Sequence, residues 1–272
     1  ATRNTLTVLD AVGANHVPVY RGASRPLAQP LTTAEHVHGQ DGLGNSKATP
    51  SPRHAQPQSA AAALVDLAGN HPGQITLVAV GPLTNVALAV MADDDFVANI
   101  ANVVIMGGAL GVAGNVTPVA EANIASDPEA AHIVFSQPWD LTVVGLEATQ
   151  RTAITPEMID TISTTSTPGG VLAWNAMDFY IDFYTQTLGH PTCVLHDPLA
   201  MALALDPDLA TYRYTHAQVE LRGEFTRGQV VGDLRPLTGY DSSHAHEPGV
   251  IRYVEDFDLA EFHRRFLTCF EA

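Results

Sequence analysis

Three polar residues, Asn115, Glu121 and Asn123, follow closely on the turn Met106-Gly107-Gly108. Two amides and a carboxylate at this density offer matched donors and acceptors to a small polar ligand. Their spacing follows neither a helical nor a strand period, which suits a loop. The paired glycines remove side chains where the backbone must turn and a ligand must come close. A second cluster, His196-Asp197-Pro198, sets an imidazole able to carry a proton near neutrality beside a carboxylate, although a His-Asp pair before Pro also reads as a plain helix start. A further imidazole, His38, stands beside Gly39 in a segment that by itself reads as a surface loop. Gly107-Gly108-Ala109-Leu110-Gly111 lacks the G-x-G-x-x-G spacing and no G-K-[ST] follows, so a nucleotide-phosphate cradle is not indicated.

Strands and helices must alternate to position these groups. The β-branched run Val103-Val104-Ile105 reads as a buried parallel strand, and ligands of open α/β sheets bind outside the carboxyl ends of such strands. The same strand–turn–helix grammar recurs at residues 75–91 and 140–147. Glu147 ends the second of these, with a structural and a functional role equally open. Asp127-Pro128-Glu129 and Thr155-Pro156-Glu157 are helix starts, with a capping side chain before a proline at the first helical position. Residues 5–12, 59–69, 171–188 and 257–270 read as further helices, and the aromatic stripe Trp174, Phe179, Tyr180, Phe183 and Tyr184 as core with a possible base-stacking end. Residues 17–20 and 250–254 read as short strands, 46–58 as a surface excursion, and 221–233 as a hairpin. Asp93-Asp94-Asp95 reads as a solvated turn. His244 and His246 read as a loop pair, since no thiol accompanies them to make a metal site. No internal repeat is present.

The fold class expected is a single α/β domain over residues 1–272, with an open, mostly parallel sheet and helices on both faces. At 46% hydrophobic and 15% charged the chain is globular. Its formal net charge of −16 disfavours nucleic acid and anionic membrane as partners. Two cysteines, Cys193 and Cys269, make no disulfide framework. No apolar run reaches the roughly 18 residues of a membrane span, and the chain opens directly into a helical pattern without a leader, so a cytoplasmic location is expected.

Residues 106–109 (M-G-G-A), 114–123 (G-N-x-x-P-x-A-E-x-N) and 127–131 (D-P-E-A-A) together resemble the signature region of the inosine-uridine preferring nucleoside hydrolases. Similar matches are P-V-Y-x-G at 18–22, H-G-x-D-G-L-G at 38–44, G-P-L-T-N at 81–85 and H-D-P-L-A at 196–200. At 223–233 the family hairpin G-x-x-T-R-G-x-T-x-x-D recurs, with Val230 in place of its second Thr. The resemblance implies hydrolysis of the N-glycosidic bond of ribonucleosides to free base and ribose. It implies that Asn115, Glu121, Asn123, Met106 and Asp197 hold the sugar, and that His196 and His38 attend the departing base. It also implies Ca²⁺, held here by Asp197 and the backbone carbonyl of Ile105, and a homodimer or homotetramer. The preference between purine and pyrimidine stays open.

The family's D-x-D-x-x-x-D-D block and the G-N pair of its second strand have no counterpart here, so the sequence reads as a member lacking its N-terminal portion. One carboxylate carries too little charge to offset dehydration of a divalent ion that wants roughly six to eight oxygens. Weak or absent calcium binding and impaired turnover are therefore expected, with an open edge or gap in the sheet. A non-catalytic nucleoside- or ribose-binding relative and an oligomeric scaffold stand as the alternatives.

Overall fold

The computed structural model describes residues 1–235 and 239–271. Two short strands, β1 (Tyr20–Arg21) and β2 (Gln56–Ser59), pair in parallel apart from the main sheet. Among the described residues the main sheet has six strands: β3 (Ile75–Ala79), β4 (Ile100–Met106), β5 (Leu141–Val144), β6 (Ala210–Val219), β7 (Val230–Gly232) and β8 (Val250–Phe257). Their order is β3-β4-β5-β8-β6-β7. The first four run parallel, and β6 and β7 turn back antiparallel at one edge, so the sheet is open and mostly parallel as the sequence predicts. β3 forms the opposite edge.

Side-chain alternation along the strands separates two cores. On β4, Val103 and Ile105 face one cluster while Val104 and Met106 face the other. Leu141 and Val143 of β5 side with the first, Val144 with the second. A strand apolar at successive positions can be satisfied only when both faces are covered. The first face is covered by helices Ala60–Asn70, Thr84–Ala92 and Pro128–Phe135. The second is covered by helices Pro156–Ser163, Pro168–Leu188, His196–Leu205 and Leu259–Thr268.

Two capped helix starts are where the sequence puts them. Thr155 accepts from Met158 N and Asp127 from Ala130 N, each with proline in the first turn. The helix read from 171 instead starts at Pro168, because Thr167 caps it by accepting from Gly170 N. Four other readings are corrected. The strand read at 17–20 is only Tyr20–Arg21, because Pro18 has no N–H to give a ladder. The surface excursion ends earlier than expected, since residues 56–59 form β2. Phe257 closes β8 rather than opening the last helix, which Asp258 caps through Glu261 N. The hairpin is larger than residues 221–233: β6 is its long first arm, paired with β7 from Ala217↔Gly232 to Val219↔Val230.

Asp127 ties the first face together. It is fully buried and accepts from Ala130 N at 3.2 Å, from Thr84 Oγ1 at 2.6 Å and from Leu27 N at 2.9 Å. One side chain thus caps helix Pro128–Phe135, holds the start of helix Thr84–Ala92 and anchors the loop around Leu27. Replacing it leaves two buried donors and one half-buried donor unmet. Asp127→Ala is expected to lower unfolding free energy by about 2–4 kcal/mol, read as a lower urea midpoint at unchanged m-value, with Thr84→Val costing about 1 kcal/mol.

Candidate active site

The carboxyl end of β4 runs into Met106-Gly107-Gly108. Gly108 adopts φ +87°, and a Cβ there would stand 2.9 Å from Val230 Cγ2, so only glycine fits between this turn and β7. Glu121 locks the turn from one side. It is 2% exposed, and its Oε2 accepts from Gly108 N at 3.0 Å. The same carboxylate caps helix Ala122–Ser126 by accepting from Asn123 N at 2.9 Å and Ile124 N at 3.2 Å. Burial raises the Glu121 pKa, backbone N–H groups oppose the rise, and the nearby charge of Asp197 adds to it. Helix His196–Leu205 packs against β4, which places Asp197 within electrostatic reach of a residue more than seventy positions earlier.

Asn123 donates through Nδ2 to Met106 O at 3.0 Å and to Met106 Sδ at 3.4 Å. Met106 is buried and Asn123 half-buried, and Asn123 Oδ1 has no protein partner among the described residues. Asn115 is exposed and its Oδ1 accepts from Ala122 N at 3.0 Å, so its carbonyl is engaged in loop structure. Ile105 is fully buried mid-sheet, opposite Ala79 on β3 and Val143 on β5.

A chain of hydrogen bonds that sequence reasoning missed runs out from His196. Tyr180 Oη donates to Tyr184 Oη at 3.3 Å, and Tyr184 Oη meets His196 Nε2 at 3.0 Å. His196 Nδ1 meets Thr149 Oγ1 at 2.8 Å. With the Tyr184 hydroxyl hydrogen turned toward Nε2, the Nδ1–H donates to Thr149. The i, i+4 spacing of the tyrosines put them on one helix face, but the partner lies across the turn after Leu188. His38, on the short helix Glu35–His38, stacks on Tyr180 with ring centroids 5.8 Å apart and planes at 23°.

Burial lowers His196 to about 4, so at neutral pH its imidazole is uncharged. His38 is lowered too, first by burial and then by the neighbouring His36. The sequence expectation of a near-neutral acid at His196 is thereby revised: the imidazole is neutral and accepts from Tyr184, and burial raises the Tyr180 and Tyr184 hydroxyls above their ordinary values. Asp197 is exposed to solvent at the concave mouth, where crowding by protein atoms lifts its carboxyl to about 6. A cavity of about 890 Å³ opens there, lined by Asp197, His38, Asn4, Thr5, Asp41 and Val80.

The family model described as inosine-uridine preferring nucleoside hydrolase matches residues 1–264. The chain belongs to that family. It is 37% identical over 237 residues to the inosine-uridine preferring nucleoside hydrolase of Crithidia fasciculata, an alignment spanning 86% of this chain and 75% of the relative. Among solved structures, a plant nucleoside hydrolase superposes with a TM-score of 0.90 at 33% identity, covering 98% of this chain and 85% of the other. A purine-preferring ribonucleoside hydrolase from Gardnerella vaginalis gives 0.88 at 34%, covering 98% and 84%. Membership makes this nucleoside hydrolase an enzyme that cleaves the N-glycosidic bond of ribonucleosides, in preference to the binding-relative and scaffold readings.

The family's calcium is tested against the donors present. Among the described residues no group of three or more His, Cys, Asp and Glu side chains could hold a metal ion. Asp197 and a carbonyl of the strand-paired Ile105 fall well short of the roughly six to eight oxygens that Ca²⁺ takes. The described residues do not fit the ion.

Neutral His196 leaves a signature in stability. Its folded pKa of about 4 lies below the ordinary 6.5, so between these values the unfolded chain takes up a proton that the folded site refuses. This contribution is complete above pH 6.5 and is lost as pH falls toward 4. Between pH 7 and 5 the parent should lose on the order of 2 kcal/mol more stability than His196→Asn. Urea melts of both at each pH check this, the other titrating groups cancelling in the comparison.

Proposed function

We propose that this nucleoside hydrolase holds ribose with Asn123, Asp197, Met106 and the loop carrying Asn115, and releases the base toward His38 and the tyrosines. The single observation that carries the reading is the packing of helix His196–Leu205 against β4, which sets Asp197 beside the strand whose end carries the Glu121-held turn.

Cleavage breaks C1′–N and moves that bond's electron pair onto the base, while a water oxygen bonds C1′ and sheds a proton. Positive charge builds on the ribose ring on the way. The Asp197 carboxylate suits that charge, and buried Glu121 adds its field from behind the turn. Asn123 Oδ1 is left to meet a ribose hydroxyl. The base needs a proton as it leaves. The Tyr180–Tyr184–His196 chain supplies one when His196 carries its hydrogen on Nε2 and both hydroxyls turn outward, so that Tyr180 donates to the base, Tyr184 to Tyr180 and His196 to Tyr184. His38, stacked on Tyr180, offers a planar face to the base.

The Ca²⁺ of the family belongs to this proposal in a negative form: the 272 residues bind it weakly, for want of carboxylates, and turn over slowly by themselves. Calorimetry giving micromolar Ca²⁺ affinity would reject that statement. A homodimer or homotetramer and a cytoplasmic location are inferred from the family resemblance and from two cysteines that are both free, Cys193 buried and Cys269 exposed. No described helix is long and apolar enough to cross a membrane. Inosine and uridine are the substrates to try first, because the proposed proton chain helps poor leaving groups of either kind.

Two variants test the roles through ribose release. Asp197→Asn should cut kcat by about 10²-fold or more. Tyr184→Phe should cut kcat on inosine by about 10- to 100-fold with little change in KM. The same variant should cleave nitrophenyl riboside at close to the parent rate, since nitrophenolate leaves without a proton. An equal loss on both substrates would remove the chain from the reaction.

A further inference from the structure

The turn after β4 is held from two sides, and the second hold belongs to no group used so far. Glu147 sits in the short helix Leu146–Thr149 that follows β5. Its Oε2 accepts from Leu110 N at 3.1 Å, three residues beyond Gly107. The residue before it, Leu146, donates its backbone N–H to Gly108 O at 2.9 Å. Gly108 N is the donor to Glu121 Oε2 at 3.0 Å. Asn123 Nδ2 closes the circuit on Met106 O at 3.0 Å. The path Glu147–Leu110–Gly108–Glu121–Asn123–Met106 is therefore continuous in hydrogen bonds and short backbone steps. The other Glu147 oxygen, Oε1, is buried without a partner among the described residues. A buried polar atom with no partner costs stability, and a carboxylate kept in that state marks more than filler.

We propose that Glu147 is a positioning residue for the ribose site, setting the Met106–Leu110 turn through Leu110 N–H and thereby the placement of Glu121 and Asn123. This rests on the ribose site proposed above. Leu or Met would fill the same volume but leave Leu110 N–H unmet and the turn free to shift. Glu147 does not touch the crevice residues directly; it acts through the turn.

Burial moves the Glu147 carboxyl up to about 7, opposed by backbone N–H groups, so the hold on Leu110 changes strength near neutrality. Ionised Glu147 accepts more strongly than the protonated acid. Charged and titratable groups on the elements packed against this helix are Arg252, Tyr253, Glu255 and Asp256 on β8 and His196 and Asp197 on helix His196–Leu205. Of these, Tyr253 is raised in part by the charge of Glu147. Glu121 faces the same turn from its other side.

The test pairs amide NMR with ribose calorimetry on the full chain. In the parent, the Leu110 and Gly108 amide shifts should titrate together with a midpoint near 7, and the gain in ribose affinity from pH 6 to pH 8 should be larger than in Glu147→Gln, the Asp197 contribution being common to both. Glu147→Gln keeps an acceptor for Leu110 and cannot ionise. It should flatten both titrations and hold ribose within about threefold of the parent at pH 6. Glu147→Ala should weaken ribose by about tenfold or more at pH 8. A Leu110 titration that persists in Glu147→Gln, a Gly108 titration unchanged from the parent in that variant, or parent-like ribose affinity in a folded Glu147→Ala, would overturn the assignment. Should Glu147→Ala not fold, the Gln variant decides through the amide signals alone. Should the parent itself not bind ribose, the ribose-site reading falls, while the presence or loss of the linked Gly108 titration still decides whether Glu147 sets the turn.

Discussion

The site depends on one buried carboxylate that collects three backbone N–H groups. Glu121 accepts from Gly108, Asn123 and Ile124, and so welds the end of β4 to the start of helix Ala122–Ser126. A carboxylate 2% exposed is costly to bury, and desolvation does raise its pKa. Converging amides offset part of that cost and fix geometry, because each has one direction in which it can donate. Glycine at 107 and 108 is a consequence. Glu121 Oε2 would stand 3.3 Å from a Cβ at Gly107, and Val230 would stand closer still to one at Gly108. The M-G-G motif is the backbone's accommodation to a charge on one side and a strand on the other.

Much of the scaffold was legible in the sequence because its determinants are local. The β4 run, the capped starts at Asp127 and Thr155, and the alternation of strands with helices need only neighbours in the chain. β6 was not legible. Thr, Tyr, Arg and His alternate along Ala210–Val219, and what makes this a strand is its pairing with β8 from Ala210↔Phe257 to His216↔Val250. β2 escaped for a related reason: Gln56–Ser59 has no apolar face, and only its parallel partner Tyr20–Arg21 defines it.

The site divides in the same way. Met106, Asn123, Glu121, His196 and Asp197 were picked out on residue type and resemblance, yet their type did not reveal their duties. Glu121 reads as a sugar ligand, but most of its bonds go to the backbone. Asn115 reads likewise, and its carbonyl serves Ala122 N. His196 reads as an acid at its ordinary pKa of 6.5, whereas burial brings it to about 4 and turns it into an acceptor for Tyr184. Burial and partner count are properties of the folded chain, and they change what a side chain can do more than its identity does.

In the ribose site proposed above, Glu121 and Asp197 gain a common purpose when their charges are considered together. Each is crowded enough to resist ionisation, and the repulsion from Asp197 raises Glu121 further. A neutral nucleoside entering the crevice leaves that repulsion in place. A ribose ring that has begun to lose its base carries positive charge and relieves it. Relief that exists only in the transition state lowers the barrier without deepening the ground-state complex, which is the form of binding that raises kcat. The proposed site therefore asks for carboxylates kept within each other's field despite their repulsion, and for a backbone rigid enough to keep them so. Paired hydrogen bonds on either side of the β4 turn supply that rigidity, which is why the residues farthest from the sugar in this constellation matter to the ones nearest it.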